Sequence, residues 1–225
     1  RSGAGSVLLG GIRRRVGNTE AGAPVYAIDA SGTSVAEVDL RSRPLNVEEL
    51  LLASSGTLTL APDSRIFATG PSTLGARSLT LTGDGAFAAV SANPLQVSRT
   101  GATLASGQLA LGAATTLSGA QVELDATSAL QLDASAVISA TQLGLGARRI
   151  VVGAAADVDP LATVLGDDVL ASARGASALS LRSYSSIDFV GLQDWAARDA
   201  SGTATRVLDR LTLDAPALRG LAPAG

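Results

Sequence analysis

The chain has 225 residues and lacks Cys, Met, His and Lys, so arginine supplies all 17 basic charges against 20 carboxylates. Catalytic triads that use His or Cys, thiolate or imidazole zinc sites, and phosphate-binding or Schiff-base lysines are therefore excluded. The net charge of −3 and the pI near 4.9 also argue against a nucleic-acid surface, which requires clustered excess basic charge.

The composition predicts a folded chain with a narrow, regular interior. Apolar residues make up 46% of the chain and aromatic residues only 3%, so Ala, Leu and Val must fill the core. No apolar run approaches the roughly 18 residues of a membrane-spanning helix, and we expect none. The chain starts at Arg1 without a signal peptide, as expected of a segment of a longer protein. The absence of Cys is compatible with export through an oxidising compartment.

Pairs of apolar residues separated by one residue recur along the chain and predict short β-strands. Between them lie Gly, Ser, Thr and Asp, which favour tight turns. The pairs are Leu58/Leu60, Leu79/Leu81, Leu95/Val97, Leu109/Leu111, Val122/Leu124, Leu130/Leu132, Leu143/Leu145, Ile150/Val152, Leu179/Leu181 and Leu211/Leu213.

The pairs repeat at a nearly constant interval. The separation is 21 residues from Leu58 to Leu79, from Leu109 to Leu130 and from Val122 to Leu143, and 20 residues from Leu130 to Ile150. Leucine-rich repeats have a similar period but require an Asn or Cys after each strand, and this chain has Asn only at three positions. We therefore predict an all-β fold, a right-handed parallel β-helix with about 20–21 residues per coil and residues 1–225 as a single segment.

The period also predicts a register. Because side chains alternate between the two faces of a strand, Gln131 should point outward between two buried leucines. The expected inward stacks are Leu109/Leu111 with Leu130/Leu132 and Ile150/Val152, and Val122/Leu124 with Leu143/Leu145.

Two segments interrupt the period and are predicted to leave the stack. Residues 154–175 contain Asp159-Pro160, a favourable pair for the start of a helix, so a short helix or loop is expected there. Residues 191–210 hold the only Trp, Trp195, within a cluster of charged residues. Specific binding is expected in these segments, because rigid repeats usually present function on their irregular parts.

Five segments carry a likeness to a known family. The most specific is Leu179–Phe189 (LSLRSYSSIDF). The others are Ser6–Arg13 (SVLLGGIR), Val47–Ser54 (VEELLLAS), Thr82–Phe87 (TGDGAF) and Leu211–Asp214 (LTLD). Together they resemble the filamentous haemagglutinin family, the large exoproteins of bacterial two-partner secretion systems.

The resemblance spans about residues 6–220 and implies an internal or C-terminal β-helical stretch of such an exoprotein. It implies a fibre that is secreted or displayed on the surface of a Gram-negative bacterium. An outer-membrane transporter partner would export the fibre, which would act in adhesion or cell–cell contact. The molecule that it would bind, a host or bacterial surface receptor or a glycan, is left open.

The alternative function is a polysaccharide-acting lyase or hydrolase, because such enzymes also use parallel β-helices, with Asp and Arg in a groove. Neighbouring residues on a strand point to opposite faces, and a carboxylate directly after an apolar pair is typical of a turn. We therefore expect solvated carboxylates, no catalytic residues and no enzyme activity. The groupings considered are Glu48/Glu49, Asp125/Asp133 (both as turn residues), Asp157/Asp159 and Asp167/Asp168.

No metal or cofactor is expected either. The aspartates between residues 157 and 168 carry oxygen ligands suited to Ca²⁺, but they form neither an EF-hand loop nor a glycine-rich calcium-binding nonapeptide. Solvated loop carboxylates are the preferred interpretation.

Five residues are candidates for partner binding. Arg13, Arg14 and Arg15 suit a sulfated glycan or an acidic partner, although an exposed turn after Gly10-Gly11 is the preferred interpretation. Tyr184 and Trp195, together with Phe189, suit a sugar platform, although such aromatics often cap a β-helix. A groove with several carboxylates or Arg–carboxylate pairs on one face would favour the enzyme. A smooth face of Thr, Ser, Gln and Ala would favour the fibre.

Overall fold

The computed structural model describes residues 7–9, 12–18, 24–30, 35–38, 40, 44–69, 75–153, 159–191 and 194–221. The fold is all-β, with long parallel strands and one helix in these residues, α1 (Asp167–Arg174). The strands are β1 (Val7–Leu9), β2 (Ile12–Asn18), β3 (Pro24–Ala30), β4 (Val35–Val38), β5 (Leu45–Val47), β6 (Glu49–Ser54), β7 (Thr57–Leu60), β8 (Arg65–Ala68), β9 (Arg77–Thr82), β10 (Ala86–Ser91), β11 (Leu95–Thr100), β12 (Gln108–Leu111), β13 (Thr116–Ala126), β14 (Ala129–Leu132), β15 (Val137–Val152), β16 (Thr163–Leu165), β17 (Ala178–Val190), β18 (Ala196–Arg198), β19 (Ala204–Val207), β20 (Arg210–Asp214) and β21 (Leu218–Leu221).

Most strands belong to two sheets. The smaller sheet has the order β1-β4-β7-β12-β14, and all of its pairs are parallel except β1 with β4. The larger sheet follows β2-β3-β6-β10-β13-β15-β17-β20, and β5, β8, β16 and β21 pair with its members or with each other. From β13 to β20 every neighbouring pair along this path is parallel.

One cluster of buried residues joins the two sheets and forms the main core. Leu109 and Leu130 enter it from the smaller sheet, and Val122 and Leu143 enter it from the larger one. The cluster consists of Leu, Val, Ile and Ala, as the composition predicts. Each strand contributes alternate residues, because successive side chains point to opposite faces of a sheet.

Two of the predicted repeats are confirmed. Leu109 lies opposite Leu130 in β12 and β14, and Val122 lies opposite Leu143 in β13 and β15, so each pair is separated by one predicted period. All ten of the predicted apolar pairs lie in strands. Gln131 is exposed, as the register requires, while Leu130 is buried and Leu132 is half-buried against the core.

The predicted repeat from Leu58 to Leu79 is wrong, because the chain between β7 and β12 contains an inserted unit. Leu58 lies opposite Leu109, well beyond one period along the chain. Leu79 lies in β9, which pairs in parallel with β11 as a separate two-stranded sheet. β10 runs antiparallel between β6 and β13. All of its side chains are buried, some in the main core and others against β9 and β11.

The predicted stacking of Ile150 on Leu130 is also wrong. Ile150 lies in the larger sheet, opposite Thr163 of β16 on one side and Ile187 of β17 on the other. Alternation identifies a strand but not its partner. Equal spacing therefore gave the correct neighbour in some places and a false one in others.

Segment 154–175 contains a short helix, α1, which is one of the two expected alternatives, but the predicted helix start at Asp159-Pro160 is wrong. Asp159 instead closes a turn, in which its Oδ1 accepts a hydrogen bond from the Leu161 amide at 2.9 Å. β16 follows and pairs with β15, so this part of segment 154–175 remains in the larger sheet. α1 starts only at Asp167, and it buries two side chains. No helix within the described ranges has the length and apolarity of a membrane span.

Segment 191–210 contains a hairpin. Within it, β18 and β19 form a two-stranded antiparallel sheet of their own. Trp195, just before β18, is half-buried and packs against the main core. The hairpin strands therefore lie outside the larger sheet, while Trp195 keeps its contact with the core.

The register can be tested with two neighbouring substitutions in β14. Leu130→Asp places a carboxylate in the core and should lower the free energy of unfolding by several kcal/mol. Gln131→Asp changes an exposed residue and should alter it by less than about 1 kcal/mol. Chemical denaturation measures both, and equal losses would contradict the register.

Candidate binding groove

The outward face of β13, β15, β17 and β20 carries three rows of polar and small residues. Each row crosses the four strands in register, and the apolar residues between the rows in β13, β15 and β17 point into the core. The three strand spacings from β13 to β20 make this face roughly 14 Å wide. The rows are Gln121, Gln142, Ala178 and Arg210; Glu123, Gly144, Ser180 and Thr212; and Asp125, Gly146, Arg182 and Asp214.

The β9–β11 sheet forms a wall along one side of this face, and side chains hold it there. Gln121 accepts a hydrogen bond from the Leu95 amide at 2.8 Å and donates one to the Leu95 carbonyl at 2.6 Å. Arg182 donates to the Val97 carbonyl at 2.5 Å. These bonds occupy the edge of β11 that faces the larger sheet. The wall is thus attached through side chains rather than through a strand ladder.

The wall and the polar face enclose a groove of about 730 Å³. A cavity of this volume suits an extended small molecule or a short oligomer. Its lining comprises Ala76, Arg77, Ser78, Pro94, Leu95, Gln96, Val97, Ser98, Gln121, Glu123, Gln142, Ser180, Arg182, Arg210, Thr212 and Asp214.

Asp125 anchors the wall at one end of the groove. Arg99 of β11 donates to its Oδ1 from Nε at 2.7 Å and from a terminal nitrogen at 2.6 Å. The Tyr184 hydroxyl donates to its Oδ2 at 2.6 Å. The side chains of Asp125 and Arg99 are only 2% and 3% exposed, so neither is open to a ligand. Burial, followed by the negative charge of Asp125, raises the pKa of Tyr184, which therefore stays protonated as a donor.

Glu123 lies two residues before Asp125 but has different surroundings. Its half-buried carboxyl lines the groove and accepts one hydrogen bond, from Gln121 at 2.7 Å. Burial raises the pKa of Glu123 from 4.5 to about 7. The Gln121 hydrogen bond and the Arg182 charge oppose this rise, and the Asp125 charge adds to it. Glu123 is therefore an accessible carboxyl group that changes charge near neutral pH.

Two glycines in β15 provide the space for these carboxyl groups. Gly144 lies opposite Glu123, and Gly146 lies opposite Asp125. A methyl group at either glycine would overlap the neighbouring carboxylate. Glycine inside a strand often marks such a close approach.

Of the predicted binding residues whose side chains the structure describes, only Tyr184 lies close to this arrangement. Tyr184 supports Asp125, but no aromatic residue is among those that line the groove. Trp195 packs against the main core, as does the half-buried Phe189. Arg13–Arg15 lie in strand β2, opposite β3, rather than in a turn, and their side chains lie outside the described part of the chain.

The expectation that Asp125 is a turn residue is wrong, whereas Asp133 is confirmed as one. Asp125 lies in β13 and is buried because Arg99, distant in the chain, supplies a compensating charge. Asp133 is exposed and accepts hydrogen bonds from the amide and hydroxyl of Ser135. Local sequence distinguishes the two poorly, because each follows an apolar pair.

Glu48 and Glu49 are buried, so the expectation that they are solvated is wrong. Asn93 donates to Glu48 at 2.9 Å, and Ser91 donates to Glu49 at 3.0 Å. Arg77 of β9 also forms an ion pair with Glu49. The inserted unit supplies all of these partners, and its position could not be inferred from the period.

The remaining carboxylates form no metal centre in the described part of the chain. Asp159 closes its turn, and Asp167 and Asp168 are exposed in the first turn of α1. Asp157 lies outside the described residues. Across those residues no group of three carboxylates is placed to hold a metal ion.

Sequence reasoning missed Glu123, Arg99 and Arg182 as site residues. A usable signal was present, since Gly144 and Gly146 follow Glu123 and Asp125 by one repeat period. A small residue one period after a carboxylate predicts that the carboxylate side chain lies over that residue on the neighbouring strand. Arg99 carries no comparable signal, because the inserted unit lies outside the repeat.

Comparison of the chain with models of protein families, with curated proteins and with solved structures finds no match.

Replacement of Glu123 tests its raised pKa. A carboxyl whose pKa is higher in the folded state favours folding fully below about pH 4.5, and this contribution is lost as the pH rises towards 7. Glu123→Gln should therefore make the protein more stable than the wild type at about pH 8, by up to about 3 kcal/mol, and flatten the pH profile.

The matched control is Asp133→Asn, another change from carboxyl to amide. Hydrogen bonds from Ser135 lower the pKa of Asp133, which thus keeps its charge above about pH 5. The control should leave the profile between pH 5 and 8 unchanged. Denaturation at several pH values measures both variants, and a wild-type profile in Glu123→Gln would contradict the assignment.

The two glycines should differ in their tolerance of a methyl group. Gly146→Ala displaces a carboxylate fixed by Arg99 and Tyr184, and should cost about 2–4 kcal/mol. Gly144→Ala displaces only the end of the Glu123 side chain, which can turn into the groove, and should cost about 1 kcal/mol. Urea denaturation measures both, and a larger loss in Gly144→Ala would refute the ranking.

Proposed function

We propose that this chain is a segment of a right-handed parallel β-helix within a large secreted bacterial surface protein. The observation that supports this proposal is the path of the chain through β12, β13, β14 and β15, which alternates between the two sheets. When the chain returns to the smaller sheet, β14 pairs in parallel with β12, and when it returns to the larger sheet, β15 pairs in parallel with β13; each strand lies one period after its partner. A chain that circles one core in this manner builds a rod whose coils stabilise their neighbours.

Some paired strands are separated along the chain by more than one period. These pairs fit the same path if the extra residues are looped out between coils. Leu143 lies opposite Leu179, and Leu179 lies opposite Leu211, so both of these steps are longer than one period. α1 lies in the first interval, and the β18–β19 hairpin lies in the second. The inserted unit β9–β11 would be the largest such departure.

The proposed role is adhesion or cell–cell contact. The run Leu179–Phe189, which carries the most specific resemblance to filamentous haemagglutinin exoproteins, lies within β17. β17 pairs with β15, β20 and β21 and so lies within the ladder. A stiff rod with looped-out surface units holds binding surfaces away from the cell. We propose that an outer-membrane transporter partner exports it.

The groove favours a second candidate, a polysaccharide-acting enzyme, because it combines Arg–carboxylate pairs with a near-neutral carboxyl on one face. Glycoside hydrolysis, however, uses two carboxyl groups roughly 5–9.5 Å apart that both reach the substrate. Glu123 lines the groove, but Arg99 and Tyr184 enclose Asp125. The other lining carboxylate, Asp214, is three strands from Glu123. The geometry thus supports binding better than turnover.

One experiment with two readouts separates these functions. Beads coated with the chain should adhere to bacterial or host cells more than beads coated with an unrelated acidic protein, and the chain should release no product from acidic polysaccharides. Adhesion no greater than the control would refute the adhesive role. Product release that disappears in Glu123→Gln would establish the enzyme instead.

A further inference from the structure

The groove differs in charge from the rest of the chain. Arg77, Arg182 and Arg210 line it against Glu123 and Asp214, whereas the whole chain has a net charge of −3. A local excess of arginine in an acidic chain favours a negatively charged ligand.

The arginines differ in how freely they can meet a ligand. Arg77 already pairs with the buried Glu49. Arg182 is 22% exposed; it lies 3.4 Å from Asp214, whose own side chain is 69% exposed, and 3.9 Å from the buried Asp125, and it donates to the Val97 carbonyl. The exposed Arg210 has no side-chain partner among the described residues. Arg210 is therefore the cation best placed to bind an incoming anion, and Arg182, whose carboxylate partner Asp214 is itself exposed in the groove, is the second.

The spacing of these two arginines indicates the class of ligand. They lie on adjacent strands four residues out of register, which places their Cα atoms roughly 14 Å apart. The hydroxyls of Ser180 and Thr212 lie in the row between them, and the amide of Gln142 lies near one end. Such a surface suits a ligand that carries separated negative charges with hydroxyl groups between them.

We propose that this groove binds an acidic polysaccharide, with Arg210 and Arg182 contacting its anionic groups and Ser180, Thr212 and Gln142 contacting its hydroxyls. This deepens the proposed function, on which it rests, because it names what an adhesive segment would recognise. An extended peptide suits this groove less well. The floor of the groove, the outward face of β13, β15, β17 and β20, has no free backbone groups for it, because they are used in strand pairing. The shared chemistry is a repeating carboxylate or sulfate on a sugar backbone.

The affinity of the folded chain is measured by calorimetry for polygalacturonate, heparin, neutral dextran and polyglutamate. We expect binding to polygalacturonate or heparin, weakened by salt, and none to dextran. A preference for polygalacturonate identifies carboxylates as the anionic groups, and a preference for heparin identifies sulfates. Equal binding to dextran, tighter binding to polyglutamate, or no binding to either acidic polysaccharide would overturn the proposal.

Arg210→Gln should weaken this binding by about tenfold, the effect of one lost charged hydrogen bond. The matched control is Arg65→Gln, which removes another exposed positive charge, from β8 and outside the groove. An equal loss in both variants would show that binding depends only on overall charge. Arg182→Gln is a supporting variant, since Arg182 also holds the wall at Val97.

The pH dependence of binding gives an independent readout. Glu123 faces Arg182 and Asp125 on the floor, Asp125 is paired with Arg99 and Tyr184, and Arg77, Arg210 and Asp214 complete the charged lining. Binding should strengthen as the pH falls through about 7, because Glu123 loses its negative charge. In Glu123→Gln the affinity should not change over this range, and an unaltered pH profile would overturn the groove as the site.

The adhesion assay keeps this inference distinct from the proposed function. If Arg210→Gln beads adhere to cells as the wild type does while polysaccharide binding is weakened as expected, adhesion uses another surface and the groove is not its basis. If the chain binds polysaccharide in solution but its beads do not adhere, the groove is confirmed and the adhesive role fails.

Discussion

The parallel register of β13, β15 and β17 is the constraint on which both the core and the groove depend. In each strand the same alternation sends leucines such as Leu124 and Leu145 inward and residues such as Glu123 and Gly144 outward. A slip of one residue would exchange the two faces. It would bring carboxylates into the core and leucines into the groove, so the energy of apolar burial also fixes the positions of the polar rows.

The inserted wall packs on β10 through the apolar cluster of Phe87, Ala89, Leu95 and Val97, and a second kind of interaction adds to this packing. The buried ion pair of Arg99 with Asp125, the pair of the partly exposed Arg77 with the buried Glu49, and the amide of Gln121 attach it to the larger sheet. The attraction within a buried ion pair is largely offset by the loss of hydration, so such pairs fix geometry more than they add stability. Losing one partner leaves a buried charge alone, which is strongly unfavourable. The position of the wall is therefore specified closely by a few side chains.

The sequence alone was sufficient for nine of the strands and for part of their pairing. Alternation located every predicted apolar pair in a strand, and the interval from Leu109 to Leu130 gave a correct neighbour, because no residues are looped out there. The same interval failed from Leu58 to Leu79, since the strands of an insertion show the same alternation as those of the repeat. The partner of a strand therefore depends on whether the chain between the two strands contains an insertion.

The groove was less accessible to sequence reasoning, because its partners are far apart in the chain. Asp125 and Asp133 have similar local patterns. Asp125 is a buried strand residue because Arg99, which is distant in the chain, pairs with it. Gly144 and Gly146 do carry a local signal, but it has meaning only once the register of the repeat is known. Sites built across repeats therefore become visible in a sequence only after the repeat itself is correctly paired.

The two outward-facing carboxyl groups of β13 have different roles in the groove. Glu123 and Asp125 lie on the same face of one strand, roughly 7 Å apart, so two negative charges there repel each other. Arg99 and Tyr184 donate hydrogen bonds to Asp125, whereas Glu123 receives one amide hydrogen bond and burial raises its pKa to about 7. The residue that fixes the wall is thus separated from the residue that titrates. The charge of the groove can change near neutral pH while the ion pair that defines its shape is retained.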